Sequence, residues 1–377
     1  MDIKAAVVRE KGGPFLIENL QLDAPAAGEV LVKIEACGIC HTDLLAREQF
    51  YPSIPLPIVL GHEGAGIVEA VGPGVKTVKP GDRVLMSFSA CGTCPSCRDG
   101  AVAYCWHHME MNFSGKRYSG VDWTIPAPIH KAFGKGNTEQ INGAFFNQSS
   151  LATHAIATEA NVVVVEDPDV DLKILAPLGC GFQTGAGAVL NTLKPSVGSS
   201  LVIMGAGNVG LAAVMAAKVS RCDPIIIVDL SPERLKLAKE LGATHVIDSS
   251  KENVVDAVKK IHPGGVEFSI DSTGNAGVLR LAFEVLHSRG ICGLIGGSKA
   301  GTEVSLDMTT LLFGRTVRGI LQGDSKPKKF LPELIRLYRD GLFPIDRLIT
   351  HYKLDQIDTA IADMKSGRTI KPVLLMS

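Results

Sequence analysis

Short apolar runs, each closed by Gly or Pro, fill the first ninety positions: Ala5-Ala6-Val7-Val8, Glu29-Val30-Leu31-Val32-Lys33-Ile34, Gly66-Ile67-Val68-Glu69-Ala70-Val71 and Asp82-Arg83-Val84-Leu85. Runs of this length between turn residues predict strands. Pro25, Gly28, Pro52, Pro55, Pro57, Gly72, Pro73, Gly74, Pro80 and Gly81 separate them, which predicts an all-β unit built as a distorted barrel. Strand-like patterning resumes at Ala144-Phe145-Phe146 and runs through Thr153-His154-Ala155 to Asn161-Val162-Val163-Val164-Val165. Residues 106–145 carry no period and are rich in Gly, Ser and Asn, so they read as a long loop of the functional kind. Trp106, Phe113, Tyr118, Trp123 and Phe133 are scattered through it, either walling a substrate pocket or packing beneath the loop.

From Leu172 the period becomes helical, and Gln183 to Leu193 continues as helix. Ser200-Leu201-Val202-Ile203-Met204 then reads as a buried strand, Gly205 to Gly210 as a turn, Leu211 to Ser220 as a helix, and Pro224 to Val228 as a strand ending at Asp229. Helical Glu233 to Leu241, Asn253 to Ile261 and Ala276 to Leu286 alternate with strands His245-Val246-Ile247, Phe268 to Asp271 and Gly290 to Ile295. Such alternation predicts a doubly wound parallel sheet covered on both faces. An amphipathic helix, Phe330 to Arg339, a second at Asp355 to Lys365 and a last strand, Lys371 to Leu375, should return to the first unit.

At 377 residues the chain is too long for one ordinary core, so the change of period marks two domains. Residues 1–181, with a Cys-rich lobe at about 90–106, and the return segment 323–377 form the β-rich one; residues 182–322 form the other. Lys+Arg of 38 against Asp+Glu of 39 leaves no basic field, so neither nucleic acid nor a membrane is a partner and the ligand is small. The ends carry no secretory leader or address signal, which predicts an intracellular, cytoplasmic protein. Pro195 to Ala217 has no charged residue and is long enough for a membrane span, but Gly205, Gly207, Asn208 and Gly210 inside it argue for a strand, a turn and a helix.

Nine Cys in such a compartment point to metal or chemistry before disulfides. Cys40 and His62 sit on Gly-punctuated loops with Thr42, Asp43 and Glu63, and make half of a metal site. A catalytic zinc takes three protein ligands and keeps one position open, and Cys180 in Gly179-Cys180-Gly181 is the candidate third. Each residue alone is more often core packing than ligand. Cys91, Cys94, Cys97 and Cys105 have the spacing of a closed, structural zinc site; an iron–sulfur cluster needs its fourth Cys nearer. His107, His108 and His130 read as surface or hydrogen-bonded imidazoles.

Gly205-Ala206-Gly207-Asn208-Val209-Gly210 follows a strand, opens a helix and precedes Asp229 at close to the roughly 20-residue spacing of a dinucleotide site. The helix end would face the pyrophosphate and Asp229 the adenosine ribose, which favours NAD over NADP; Arg234 nearby softens that preference. Asp271, Ser272 and Gly274 end a strand on the ligand side of such a sheet, as contacts or as caps.

These motifs resemble the zinc-containing medium-chain alcohol dehydrogenase family along essentially the whole chain. Within it, Gln183 to Val189, Gly319-Ile320 with Gly323-Asp324-Ser325, and Ile370-Lys371-Pro372 are most similar to the aryl (benzyl) alcohol dehydrogenases. The resemblance implies a GroES-like catalytic domain in two segments around a Rossmann domain, a homodimer or homotetramer, and two zinc ions per chain. It places Cys40, His62 and Cys180 on the catalytic zinc with Asp43 and Glu63 behind them, His41 and Lys371 on the cofactor phosphates, and Thr184 on the nicotinamide. Thr42 would take the alcohol proton, and Leu45 stands where the horse-liver type has a relay His. The implied reaction moves hydride between a primary aryl or allylic alcohol and NAD. Terpenoid or polyol alcohols and a biosynthetic carbonyl reduction are alternatives; a non-catalytic nucleotide binder is disfavoured by the intact ligands and Gly turn.

Overall fold

The computed structural model describes residues 1–117, 133–135 and 139–376, so Tyr118, Trp123, His130 and the Phe133 side chain lie outside the described residues. Two compact units result: Met1–Cys180 with Lys326–Arg336 and Asp346–Ser377, and Gly181–Ser325 with Leu337–Ile345. Leu337–Ile345 thus belongs to the second unit and not to the return segment; its Phe343 and Ile345 are fully buried.

The first unit contains β1 (Asp2–Val8), β2 (Phe15–Leu22), β3 (Glu29–Gly38), β4 (Ile58–Val59), β5 (Gly64–Val71), β6 (Arg83–Met86), β7 (Phe133–Lys135), β8 (Glu139–Ile141), β9 (His154–Thr158) and β10 (Val162–Val164). The second contains β11 (Leu201–Met204), β12 (Ile225–Asp229), β13 (His245–Asp248), β14 (Val266–Asp271), β15 (Leu286–Leu294) and β16 (Thr316–Gly319). β17 (Ile349–Lys353) and β18 (Lys371–Leu375) return to the first.

One sheet of the first unit runs β4-β1-β2-β7-β8 and the other β10-β6-β5-β3-β18-β17, with β9 also on β3. The two-residue period of a strand sends alternate side chains to different cores. Ala6, Val8, Val30, Val32 and Ile34 enter one cluster, while Ile3, Ala5, Val7 and Leu31 enter another. β3 is therefore buried along nearly its whole length.

The second unit is a six-stranded parallel sheet ordered β13-β12-β11-β14-β15-β16. Strand order reverses between β11 and β14, and ligands bind outside the carboxyl ends of the strands at such a point. The uncharged run expected to mimic a membrane span supplies β11, the Gly turn and the helix Asn208–Val219, and no helix among the described residues is long and apolar enough to cross a membrane.

Three expectations change. Ala144-Phe145-Phe146 is not strand: Phe145–Asn147 is a tight turn, with φ of 60° at Ala144, 52° at Phe146, 54° at Asn147 and 50° at Ser149. Side-chain hydrogen bonds override strand propensity there, Ser149 Oγ accepting from Phe145 N at 2.9 Å and donating to Val59 O at 2.6 Å. Within 106–145 the helix His108–Phe113 forms, anchored by Asn112, whose amide receives Ser89 N at 2.8 Å and donates to Ser89 O at 3.0 Å. The helix foreseen over Gln183 to Leu193 begins at Gly181 and widens to a π-helix at Ala188–Leu193, where Asn191 donates to Gly323 O at 3.0 Å and Thr192 to Asp324 at 2.8 Å.

Candidate functional site

β3 and β5 pair with Cys37 opposite Gly64, so Cys40, just after one strand, and His62 and Glu63, just before the other, emerge at the same sheet end. β18 pairs with the other edge of β3, Val373 opposite Gly38, and delivers Lys371. Cys180 arrives from the turn Ala176–Gly179, whose last carbonyl accepts from Ser87 Oγ at 2.7 Å. Donor atoms of Cys40, His62, Glu63 and Cys180 all lie within 4.8 Å of one another. Three chain segments remote in sequence thus converge in the first unit.

Asp43 organises this cluster. It stands at the third position of the helix His41–Arg47 and accepts Cys40 N at 2.9 Å, closing the capping box. Its other oxygen accepts Gly61 N at 3.0 Å and faces His62 Nδ1 at 2.9 Å. With Nδ1 bound there, Nε2 is left as the ligand atom; it is buried and has no hydrogen-bond partner. Phe146 stacks on the His62 ring at 4.4 Å and 25°, and Phe145 meets it edge-on at 5.5 Å and 85°.

Contact with Cys180 holds the Cys40 thiol well below its ordinary range, helped by the His62 and Lys371 charges. Burial opposes protonation of His62, yet the Asp43 carboxylate and Cys40 thiolate raise it well above the usual imidazole range. Burial pushes Glu63 up to about 7 against the pull of Lys371, whose Nζ lies 2.5 Å from Oε2. A Cβ on Gly38 would stand 2.0 Å from that same oxygen, so a larger residue there would push the carboxylate aside. Contact with the Cys40 thiolate, and burial, hold the Cys180 thiol well above its ordinary range. A bound zinc would displace the protons and leave two thiolates and a neutral imidazole, and Cys40 and Thr42 are only partly buried, which gives the cluster an open side. Thr42 Oγ1 lies 3.7 Å from Cys40 Sγ.

Lys371 is 1% exposed, and its Nζ donates to Ile39 O at 2.9 Å besides pairing with Glu63, contacts that the reading of it as a phosphate ligand did not foresee. His41, by contrast, is exposed at the start of its helix. His108 is neither surface nor hydrogen-bonded through Nδ1: it is buried between Phe88 and Phe113, and burial lowers it to about 4. Sequence reasoning missed Tyr51, Phe145, Phe146 and Gln148. Tyr51 is raised first by burial and then by the Cys40 and Cys180 charges, and its ring meets Phe113 at 4.8 Å. The Phe145-Phe146 doublet was the available signal.

Cys91, Cys94, Cys97 and Cys105 also gather within 4.8 Å of one another. Backbone N–H groups of Thr93 and Cys94 donate to Cys91 Sγ, those of Cys91 and His107 to Cys105 Sγ, and that of Trp106 to Cys94 Sγ. Donors aimed at sulfur favour thiolates, and despite burial the Thr93 and Cys94 donors bring Cys91 down to about 6. The set is closed and fits a structural zinc. All nine Cys are free of disulfides.

In the second unit Gly205 turns at φ 95°, and a Cβ on Gly210 would stand 1.8 Å from Gly205 O. A Cβ on Gly207 would meet nothing within 4 Å, so the backbone there lies open to a close-approaching group. The helix beginning at Asn208 and Val209 has no side-chain cap, which leaves its first N–H groups for an anion. Asp229, ending β12, accepts Ala206 N at 2.6 Å, Leu230 N at 2.8 Å and Ser231 N at 2.9 Å. Arg234 lies five residues on, its Nε buried without a hydrogen-bond partner, and Thr184 Oγ1 donates to Gln322 Oε1 at 3.5 Å. The turn, the open helix end and the acidic strand end fit a dinucleotide.

The alcohol dehydrogenase GroES-like domain model matches residues 26–166, and the zinc-binding dehydrogenase model matches 208–339. A geraniol dehydrogenase of Castellaniella defragrans is 41% identical over 99% of this chain and 97% of its own. An alcohol dehydrogenase zinc-binding domain protein from Burkholderia ambifaria superposes with a TM-score of 0.95 at 47% identity, covering 100% of this chain and 99% of that one. Benzyl alcohol dehydrogenase from Acinetobacter calcoaceticus does so at 0.92 and 44%, covering 100% of both.

Asp43→Asn should weaken metal binding at the Cys40 cluster by about 10–100-fold, the usual cost of losing a carboxylate behind a ligand His, and leave the four-Cys lobe unaffected. Competition against a chelator measures it; unchanged affinity would remove Asp43 from this role.

Proposed function

The chain belongs to the zinc-binding, GroES-like alcohol dehydrogenases, and on that premise we propose that it interconverts a primary aryl or allylic alcohol and its aldehyde with NAD. The observation that carries the reading is the convergence of the Cys40, His62 and Cys180 donors on one point. These three would hold a catalytic zinc, and the four-Cys lobe a second, structural one. When bound, the catalytic zinc supplies Lewis acidity that makes an alcohol proton easier to remove. When bound, NAD supplies the hydride acceptor.

The chain's own groups do the rest. Asp43 keeps the proton on His62 Nδ1, so Nε2 stays a lone-pair donor. Thr42 Oγ1, beside Cys40, accepts the alcohol proton. Leu45 offers no second proton carrier, so the proton goes on by another route. Lys371 compensates Glu63, which keeps the buried cluster from carrying excess negative charge. The geraniol and benzyl alcohol relatives support a conjugated primary alcohol as substrate. Gly205, Gly207, Asn208, Val209 and Gly210 would cradle the pyrophosphate and Asp229 the adenosine ribose, with Thr184 and Arg234 as further contacts on the same unit; His41 is carried over from the family resemblance as a phosphate contact.

A panel of benzylic, allylic and saturated primary alcohols with NAD tests the substrate class. The first two should exceed the third by about tenfold or more in kcat/KM, since stabilising a conjugated product by ~1.4 kcal/mol corresponds to that factor. Equal rates across the panel would defeat the aryl or allylic reading, and turnover surviving in metal-checked Cys40→Ser would defeat the zinc assignment.

Asp229→Gly should weaken NAD by about tenfold or more, because hydrogen bonds to a charged group contribute ~1.5–3 kcal/mol, and should shift preference toward NADP. Unaltered cofactor preference in a folded variant would move the ribose site elsewhere.

A homodimer or homotetramer completes the proposal. Among the described residues β16 is the last strand of its sheet, and Met308, Leu312 and Phe313 nearby in sequence are 83%, 86% and 62% exposed, features that support a subunit interface on this unit. Sedimentation equilibrium should find an oligomer; a monomer at micromolar concentration would exclude it.

A further inference from the structure

Residues 144–149 form a hook against His62. Four non-glycine residues in it, Ala144, Phe146, Asn147 and Ser149, hold left-handed backbone. Residues in this region persist only where their surroundings over-determine them, and such strain gathers at active sites. The surroundings here do so. Asn161 Nδ2 donates to Phe146 O at 3.2 Å and Asn147 O at 3.3 Å, and Ser149 ties Phe145 N to Val59 O. Gln148 Nε2 donates to His62 O and Ser87 O, both at 3.1 Å, while its Oε1 accepts Gly64 N at 3.2 Å.

The hook therefore grips His62 twice, at its carbonyl through Gln148 and at its ring through Phe146, which is 2% exposed. Asp43 pins one edge of the imidazole but leaves the ring free to rock about the line to that oxygen. A face-stacked ring blocks that rocking, and Phe145 from the side blocks the rest. Phe113 at 5.0 Å from Phe146 backs the stack.

We propose that Phe146, held by the left-handed hook, is a positioning residue that fixes the plane of the His62 imidazole so that Nε2 points at the Cys40 and Cys180 sulfurs. The proposal rests on the preceding reading that these three side chains hold a metal.

The test uses the full chain loaded with zinc for metal release to a chelator, and with cobalt(II) for ligand-field absorption. Phe146→Leu, which keeps apolar volume but loses the ring face, should release the metal of this cluster about tenfold faster or more, with release from the four-Cys lobe unchanged. Its cobalt bands should shift, because the imidazole no longer has a single orientation. Phe146→Tyr, which restores the face, should return both readings toward those of the unaltered protein. Unchanged release and unchanged bands in Phe146→Leu would overturn the proposal. If the leucine variant does not fold, Phe146→Met, equally without a ring and closer in length, is judged by the same two readings. An unaltered protein that takes up metal only in the lobe overturns the preceding reading instead.

Discussion

One buried carboxylate ties the site together. Asp43 is 0% exposed, and its two oxygens meet Cys40 N, Gly61 N and His62 Nδ1, so a single group caps a helix, closes a turn and orients an imidazole. In a low-dielectric interior these bonds are strong, and leaving any of them unmade is costly. The Cys40 and His62 segments are therefore not independently mobile: shifting one strands the carboxylate that holds the other. The spacing that lets Asp43 close a capping box is also the spacing that aims it at the second ligand.

Around that carboxylate the first unit balances charge across long sequence separations. Glu63 and Lys371 are buried together, one just before β5 and the other at the start of β18. Breaking a buried pair leaves an uncompensated charge, whereas an intact one is close to neutral in stability. The last strand is thus part of the site and not merely an edge of the sheet. The lysine also lets a carboxylate stand buried behind Cys40 and His62.

The four-Cys lobe and the aromatic set share an element. The helix His108–Phe113 puts Met111 into the core of the lobe and Phe113 against Phe145 and Phe146, while Asn112 fastens it to Ser89. Closing the lobe on a metal would fix the register of that helix and hence the backing of the rings that border His62. This gives a chemically silent cluster a mechanical link to the reactive one within the same unit.

Much of this was legible in the residues alone. Apolar runs between Gly and Pro located β1, β3, β5 and β6; strict alternation of helix and strand announced the parallel sheet; and the spacings of the Cys, His and Gly motifs named the donors, because each signal is local and repeats with a fixed period. β2 escaped because Glu18 and Asn19 interrupt its apolar run, and the hook at 144–149 because two phenylalanines imitate strand. Left-handed backbone is chosen by hydrogen bonds to Asn161, Val59 and His62, partners that no window of sequence contains. So the residues by themselves pointed to a β-rich unit and a parallel-sheet unit, to the Cys and His that gather in two clusters, and to the Gly turn after β11. Only tertiary structure decided that Lys371 faces Glu63, that His108 is buried and that Phe146 covers His62, since burial and pairing depend on which distant strands come to lie side by side.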